Sequence, residues 1–600
     1  MERVKKKRKR EKQLWRMWIE ITPIKQVWFL LEVENKYIIV VGGVLSGIGK
    51  GIATASIAKI VKNYGYRVTA MKIDPYINYD AGTLRPTEHG EVWVTDDGGE
   101  IDQDLGSYER FLSINIPKFN NITTGQVYKE VIDRERAGDY LGRTVQFIPH
   151  IPQEILRRIK EASNGFEITV VEIGGTIGDY ENIPYLFAVK SLSRIKGKDN
   201  IAVVMLTYLP IPSHINEMKT KPTQQAIRQL SEHAIFPDII LCRAKEPIDR
   251  VRKSKIETYA NIEADYVISA PDVNSVYEVP LNFEHEDLGI KLLNKLNIPP
   301  KKRPDWSNWK KLTKGITNPK KKINVAMVCK YLDIGGFSLK DSYISVSHAL
   351  AHAGAYDQVG VDIKWIDAKV IEEKGTDCLK DVNGIIVPGG FGTSGIEGKI
   401  EAIRYARENR IPFLGLCLGM QLALVEYSRN VLGLKEANSS EFDSDTPHPV
   451  IDYVTGQEKI LANSQYGATM RLGAYAAKLK KNSRVFKLYK ETGRLEKDMK
   501  SIKKIKEDFR LGILDDNGPM ILERHRHRYE VNPDYIKDFE QQGVIFGGFH
   551  KSINGEVLME FMELEDHPFF IATQAHPEFK SRLEDPAPLF VGFLKNIISK

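Results

Sequence analysis

The chain has 600 residues, of which 42% are hydrophobic and 28% charged, with a mean hydropathy of −0.31. At roughly 100–200 residues per domain this length predicts several domains, and the balance excludes a globally disordered chain. The formal charge is +7, but the first twelve residues alone hold eight Lys/Arg against two Glu, and residues 13–36 carry three of each sign. Everything from Tyr37 onward therefore carries only +1, which gives no reason to expect nucleic-acid binding. The four cysteines, Cys242, Cys329, Cys378 and Cys417, are scattered without a CxxC pair. That excludes a disulfide framework and a Cys-rich zinc site, and suits a reducing cytoplasm. No segment reaches the roughly 18 apolar residues of a membrane span.

Residues 1–36 read as a poorly ordered basic extension. Arg16, Glu20 and Lys25 interrupt its apolar stretch, which is too charged for a signal-peptide core and lacks a small-residue cleavage site. Three tryptophans beside a basic flank would permit an interfacial helix, but Pro23 sits inside it.

The first folded strand, YIIVV at 37–41, runs into GGVLSGIGKG at 42–51, and Ile57, Ile60, Val61 and Tyr64 then follow helical spacing. Strand, glycine-rich turn and helix form the context in which backbone N–H groups cradle phosphates, with Lys50 reaching toward the β and γ groups. The loop departs from the usual pattern, with Val44 in place of the first glycine and Gly51 in place of Ser/Thr. Taken alone it could equally be turn geometry. A second strand at 67–71 delivers Lys72 to the carboxyl edge, where ligands sit in doubly wound sheets.

In TEHGEVWVTDDGGEIDQDLGSYERF (87–111), Asp97, Glu100, Asp102 and Asp104 crowd one loop. Mg²⁺ is usually held by one or two carboxylates plus substrate phosphates. ITVVEI at 168–173 ends an apolar run with Glu172, costly to bury without a positive partner. Lys50, Lys72, Asp104 and Glu172 together describe a Mg–nucleoside-triphosphate site. IAVVMLT (201–207) and DIILCR (238–243) continue the α/β alternation, and between them Lys219 and Lys221, stiffened by Pro222, suit a triphosphate as well as solvent.

Residues 297–322, rich in Pro, Lys and Asn, read as a linker without hydrophobic periodicity, after which INVAMV (323–328) opens a second α/β unit. There PFLGLCLGMQLAL (412–424) is a strand entering G-x-C-x-G and then a helix, the cysteine counterpart of a nucleophile elbow. The helix N-terminus favours a thiolate at Cys417. Downstream, FFIATQAHPEF (569–579) ends a strand with His576 and Glu578, a base and the acid that orients it. VPGGFG (387–392) offers flexible N–H groups for an oxyanion hole. The bland alternative for Cys417 is a buried structural thiol.

GLCLG around Cys417, HPE at 576–578 and PGGFG at 388–392 resemble class I glutamine amidotransferases. GGVLSGIGKG, MKIDPYIN, HGEVWVTDDGGEIDQDLGSYERF, VEIGGTIGD and KTKPTQ occur in the order of the CTP synthase family's synthetase domain, and the resemblance runs from about Tyr37 to the end. It implies an α/β chain of two doubly wound domains: a P-loop-type amidoligase (synthetase) domain at 37–296, a linker at 297–322 and a class I glutaminase domain at 323–600. The implied reaction hydrolyses glutamine through a Cys417 thioester, with His576 as base and Glu578 orienting it. Gly390 and Leu418 supply the oxyanion N–H groups, and Gly419, Met420, Gln421, Glu441 and Arg528 complete the glutamine site. Ammonia then passes internally to a centre where ATP phosphorylates O4 of UTP and ammonia displaces phosphate at C4.

By the same resemblance, Gly47, Ile48, Gly49, Lys50, Gly51, Ile52, Lys72 and Asp104 bind ATP, and Asp104 and Glu172 hold Mg²⁺. Ser46, Lys219, Thr220, Lys221, Pro222, Thr223, Gln224 and Lys255 match the UTP site. Asp179, Tyr180 and Glu181 match the place where CTP binds as feedback inhibitor, and His89 and Val92 the tunnel gate. The family implies a cytoplasmic homotetramer activated by GTP, with filaments left open and neither nucleic acid nor membrane as partner. Ser394 stands where an arginine is expected in the loop linked to GTP, which puts that response in question. The lysine-rich stretch at 490–519 is longer than expected, and Leu495, Met499, Ile502 and Ile505 predict a surface helix there. The competing readings are another P-loop glutamine-dependent amidoligase acting on a carboxylate, and a catalytically silent filament protein.

Overall fold

The computed structural model describes residues 35–85, 89–330, 333–334, 337–338, 340–390, 392–453, 470–513 and 518–599. The basic extension up to residue 34, Thr87 and Glu88 of the acidic motif, Phe391 of PGGFG and residues 514–517 of the lysine-rich stretch lie outside the described residues. The chain packs as two compact units. The first comprises Met1–Tyr79, Phe119–Val273 and Val279–Pro304; the second comprises Asp80–Lys118, Asn274–Glu278 and Asp305–Lys600.

The first unit is built on a seven-stranded sheet of β1 (Lys36–Gly42), β2 (Val68–Asp74), β3 (Asn121–Thr123), β4 (Ile168–Ile173), β5 (Ile201–Tyr208), β6 (Ile239–Ala244) and β7 (Val267–Pro271). The order is β3-β2-β4-β1-β5-β6-β7, and every pairing is parallel. These strands read as near-continuous apolar runs because a parallel sheet is covered on both faces. Ile39, Met71, Val171, Met205 and Ile240 share one core cluster. The chain leaves β1 toward β2 on one side and leaves β5 toward β6 on the other, so the strand order reverses beside β1. In open α/β sheets ligands bind at such a reversal, outside the strands' carboxyl ends. Loop 43–49 occupies that position and leads into α1 (Lys50–Asn63).

The second unit carries a nine-stranded sheet: β8 (Lys321–Cys329), β9 (Val359–Asp367), β10 (Gly384–Val387), β11 (Phe413–Leu416), β12 (Arg471–Leu479), β13 (Met520–His527), β14 (Val544–Lys551), β15 (Val557–Leu564) and β16 (Phe570–Thr573). The order is β9-β8-β10-β11-β16-β15-β14-β12-β13. Only the first five are mutually parallel, and the rest add antiparallel. The doubly wound pattern thus holds for half of this sheet, the half that carries G-x-C-x-G.

Two segments depart from the expected boundaries. Residues 80–118, expected within the synthetase domain, belong to the second unit, as a hairpin (Val92–Val94 with Glu100–Asp102) and the helix Asp104–Leu112. Their anchors are Trp93, fully buried against Phe579 at 5.0 Å, and Phe111, stacked on Tyr277 at 5.3 Å and against Trp309 at 5.5 Å. The expected linker 297–322 contains α2 (Ser307–Thr317), whose Trp309 and Leu312 are buried while its lysines face solvent. One apolar turn with three lysines shows little periodicity, so local pattern could not reveal it.

The lysine-rich stretch forms α3 (Arg494–Ile502) as its spacing predicts, with Ile505 beyond the helix end. It is more than a surface excursion. Arg494 and Asp498 are buried and paired at 3.3 Å, and Asp498 accepts from the Leu522 N–H at 3.1 Å and pairs with Lys580 at 3.5 Å.

Candidate active site

In the second unit three adjacent parallel strands end together. Gly415 of β11 lies opposite Val387 of β10 and Ala572 of β16. The residues that follow therefore share one edge: Pro388–Gly389–Gly390 after β10, Cys417 after β11, and Gln574 to His576 after β16. Cys417 has φ 51° and ψ −103°, the left-handed side of the map, where a non-glycine residue is held at a cost of about 1–3 kcal/mol. Its N–H donates to Thr573 O at 2.7 Å, and helix α4 (Leu418–Asn430) starts at the next residue. The turn can be this tight because Gly419 has no side chain: a Cβ there would stand 2.1 Å from Val387 O.

His576 Nδ1 shares a hydrogen bond with Glu578 Oε1 at 2.7 Å, and the His576 N–H donates to Arg524 O at 2.8 Å. The ring stacks on Phe579 at 5.1 Å, and Phe579 rests on Trp93. Burial works against an imidazolium here, but the Glu578 carboxylate and the hydrogen-bonded Cys417 sulfur outweigh it and hold the pKa up at about 10. A cationic imidazole beside the sulfur is what a reactive thiolate requires. Gly389 admits the pair, since a Cβ on it would lie 3.0 Å from His576 Cε1 and 3.5 Å from Cys417 Cβ.

The platform under His576 is charged and buried. Arg524 pairs with Asp96 at 2.6 Å and with Glu109 at 2.9 Å, and Arg582 also bonds Glu109. The guanidinium groups of Arg110, Arg524 and Arg582 face the Trp93 ring at 4.8, 5.2 and 5.9 Å. Burial opposes the Asp96 carboxylate, yet Arg524, Lys580 and Arg582 hold its pKa well below the usual range.

A cavity of about 310 Å³ opens at Cys417, with Gly390, Gln421, Glu441, Arg528 and Gly82 in its wall. The first four belong to the glutamine-site residues predicted from sequence; Leu418, Gly419 and Met420 form the buried first turn of α4. Burial raises the Glu441 carboxyl, opposed by its hydrogen bond from the Gly392 N–H and by Lys330 and Arg528.

Three residues here escaped the sequence reading. Gly82 comes from the 80–118 segment. Lys399, on helix α5 (Ile396–Glu408), is fully buried and donates to Pro388 O at 3.1 Å. Gln574 points its amide nitrogen at Cys417 Sγ from 3.7 Å. Ser394 is exposed immediately before α5.

In the first unit, α1 begins at Lys50 behind Gly49, with no side-chain cap and no acid in its first turn. Its first-turn N–H groups and positive dipole end suit an anion. Val44, standing where the phosphate-loop pattern wants glycine, does adopt φ 81°, a conformation that β-branched residues rarely tolerate. Lys50 Nζ donates to Gly175 O at 2.6 Å, and Lys72 pairs with Glu172 at 2.9 Å, both buried. Glu172 is thus compensated by charge, as its position required. Ser46, Gly47 and Gly49 are exposed along the loop, while Ile48, Gly51 and Ile52 turn inward. Asp104, the fourth member of the predicted site, opens its helix in the second unit, its N–H bonded to Asp102 at 2.9 Å.

Thr220, Lys221, Pro222, Thr223 and Gln224 form the start of helix α6 (Lys221–Glu232), and Lys219 pairs with Glu217 at 2.6 Å. Lys255 lies exposed on helix α7 (Arg250–Ala260), lining a shallow pocket with Arg250. Asp179 accepts from the Thr176 N–H at 2.7 Å, beside an 87% exposed Tyr180 and an exposed Glu181. His89 is exposed and Val92 buried, both in the second unit. Among the described residues no cluster of three or more His, Cys, Asp or Glu side chains is arranged to hold a metal unaided. No helix among them is long and apolar enough to cross a membrane.

Residues 36–298 match the family model described as CTP synthase N-terminus, and residues 338–596 match the one described as class I glutamine amidotransferase. The CTP synthase of Pyrococcus abyssi is 48% identical over 561 residues, covering 94% of this chain and 97% of that protein. The CTP synthase of Methanopyrus kandleri is 46% identical, covering 93% of this chain and 98% of its own. A solved glutaminase domain of Trypanosoma brucei CTPS is 33% identical, covers 46% of this chain and 94% of that one, and superposes with a TM-score of 0.38. Identity of this extent across both halves shows that the chain belongs to the CTP synthase family.

Proposed function

We propose that Cys417, His576 and Glu578 release ammonia from glutamine, and that Lys50, Lys72, Glu172 and Asp104 serve the ATP-dependent amination of UTP to CTP. Glutamine-dependent UTP amination is the reaction of the family to which the chain belongs. The observation that carries the residue assignment is the strained Cys417 at a helix start, beside an imidazole hydrogen-bonded to a carboxylate and open to a cavity. The sulfur attacks the glutamine amide carbonyl while the Gly390 and Leu418 N–H groups receive the oxyanion. His576 protonates the departing ammonia, then takes a proton from the water that cleaves the thioester. Gln421, Glu441 and Arg528 hold the amino-acid end of the substrate.

At the synthetase centre the uracil carbonyl oxygen is a poor leaving group until phosphorylated, which is why ATP is needed. Loop 43–49 and α1 cradle the phosphates, and Lys72 counters charge on the transferred group. The donor chemistry fits Mg²⁺: Glu172 presents a buried carboxylate beside Lys72 in the first unit, and the family resemblance adds Asp104 as a second carboxylate ligand. The ion would supply charge neutralisation between the phosphates.

UTP binding by Ser46, 219–224 and Lys255, CTP inhibition at Asp179–Glu181, passage of ammonia by His89 and Val92, GTP activation and a cytoplasmic homotetramer extend the same reading. The test supplies UTP, ATP and Mg²⁺ with either glutamine or ammonia, to wild type and Cys417→Ala. CTP from both nitrogen sources in wild type, and from ammonia alone in the variant, is expected. Glutamine-dependent CTP from Cys417→Ala would overturn the assignment.

A further inference from the structure

Gln574 is fully buried two residues before His576, at the edge where β10, β11 and β16 end together. Its backbone N–H donates to Glu560 O at 3.0 Å, which fixes where the side chain starts. The side-chain nitrogen stands 3.7 Å from Cys417 Sγ, within reach of an N–H···S hydrogen bond. Its oxygen accepts from Gln421 Nε2 at 3.2 Å, and Gln421 Nε2 also donates to Tyr529 O at 3.0 Å. This arrangement determines which way the Gln574 amide faces. Both hydrogens on Gln421 Nε2 are committed to oxygens, so turning Gln574 over would set two NH₂ groups against each other and aim an oxygen at the sulfur.

We infer that Gln574 is a further catalytic residue, donating its amide hydrogen to the Cys417 sulfur, and that Gln421 is the positioning residue that keeps this donor facing the nucleophile. The inference rests on the reading of Cys417 as nucleophile. A donor aimed at sulfur favours thiolate over thiol, because hydrogen bonds to a charged acceptor are roughly twice as strong as neutral ones. It helps twice in the cycle: it stabilises the attacking sulfur, and it stabilises the same sulfur as it leaves the thioester. With its nitrogen committed, Gln421 can contact glutamine only through Oε1. The other charged or polar groups around Cys417 come from different elements. His576 follows β16, Lys399 lies on α5, and Arg526 of β13 brings its carbonyl to 4.0 Å while its side chain pairs with Glu100 at 2.8 Å.

The test uses the full chain carrying Gln574→Glu, which keeps the acceptor for Gln421 but replaces the donor with oxygen, and Gln574→Met, which is apolar and of similar length. Alkylation of Cys417 by iodoacetamide is followed against pH by peptide mass spectrometry, with half-buried Cys378 as the reference thiol in the same digest. The alkylation midpoint is expected to move to higher pH in both variants, farther in Gln574→Glu. Glutamine hydrolysis at neutral pH should fall about tenfold or more and recover partly as pH rises, while CTP formation from ammonia stays at the wild-type rate. Gln421→Met should shift the midpoint in the same direction by less. A wild-type alkylation profile in Gln574→Glu, even with hydrolysis lost, would reduce Gln574 to packing and overturn the inference. Glutamine hydrolysis surviving in Cys417→Ala would instead overturn the nucleophile assignment, an outcome read independently of the profile.

Discussion

Lys399 is the buried charge whose replacement should reveal most about the glutaminase edge. Its ammonium lies in a fully buried position on α5 and donates to Pro388 O, two residues before Gly390, the proposed oxyanion donor. Burial and the nearby Lys330 lower its pKa from 10.5 to about 7, although Cys329, Cys417 and Asp367 pull the other way. At 1.36 kcal/mol per pH unit, that displacement corresponds to a folding penalty of about 5 kcal/mol when the group is charged. The sign follows from proton binding. Above pH 10.5 the amine is neutral in both folded and unfolded chains and the penalty is absent. As pH falls from 10.5 to about 7 the unfolded chain gains a proton the folded one refuses, so stability declines, and below about 7 the full penalty applies. Lys399→Met removes the titration and gives up one buried hydrogen bond, worth about 1 kcal/mol. The variant should therefore be more stable than wild type by about 4 kcal/mol at pH 6, with the advantage gone near pH 10. Urea denaturation followed by tryptophan fluorescence reads the right region, since Trp93, Trp306, Trp309 and Trp365, the tryptophans of the described residues, all belong to the second unit. A stability difference that does not change with pH, or a wild type more stable at pH 6, would refute this account. Glutamine hydrolysis should nonetheless fall in the variant, because the Pro388 carbonyl loses the contact that orients the following peptides.

Two further outcomes follow from the paired charges. His576 has its pKa raised from 6.5 to about 10 despite burial, through Glu578 and Cys417, so the pair contributes stability that is complete below pH 6.5 and lost as pH rises through about 10. Glu578→Gln should draw the alkaline limb of the glutamine-hydrolysis profile down from near pH 10 and cut kcat by about 10⁴-fold; an unmoved limb would contradict it. Lys72→Met should cost about 3–5 kcal/mol, because Glu172 then stays buried without its lysine. Adding Glu172→Gln should restore most of that stability, while both variants hydrolyse glutamine and fail to make CTP from ammonia. Recovery of CTP synthesis in the double variant would remove Lys72 and Glu172 from the synthetase centre.

The parts legible in the sequence were those whose chemistry is local. Cys417 between glycines, His576 two residues before Glu578, and Lys50 at a helix start each announce themselves within ten residues. Gln574 lies inside the same motif as His576, yet an amide carries no mark until its partners, Gln421 and Cys417, arrive from α4 and β11. Lys399 reads as one more lysine on a charged helix, and only the fold shows that it faces inward. The assignment of 80–118 to the second unit depends on Trp93, Asp96 and Glu109 meeting Arg524 and Arg582, more than four hundred residues away. Val44 looked like a flaw in a motif and is instead the glycine conformation adopted by the wrong residue type, with the strain that entails.

The 80–118 segment also sets a timetable for synthesis. Asp96 and its partner Arg524 are separated by 428 positions, and at about 5–20 residues per second a ribosome needs on the order of 20–90 s to make the intervening chain. Throughout that interval Trp93 and the carboxylates of Asp96 and Glu109 wait for their arginines, and β16, the strand that leads to His576, has yet to be made. The first unit can close its parallel sheet once β7 is made, near residue 271, but the support beneath the His576 imidazole must wait for a strand that ends at His527. The support for glutamine cleavage is therefore acquired last, after the seven-stranded sheet that positions Lys50, Lys72 and Glu172 has already taken shape.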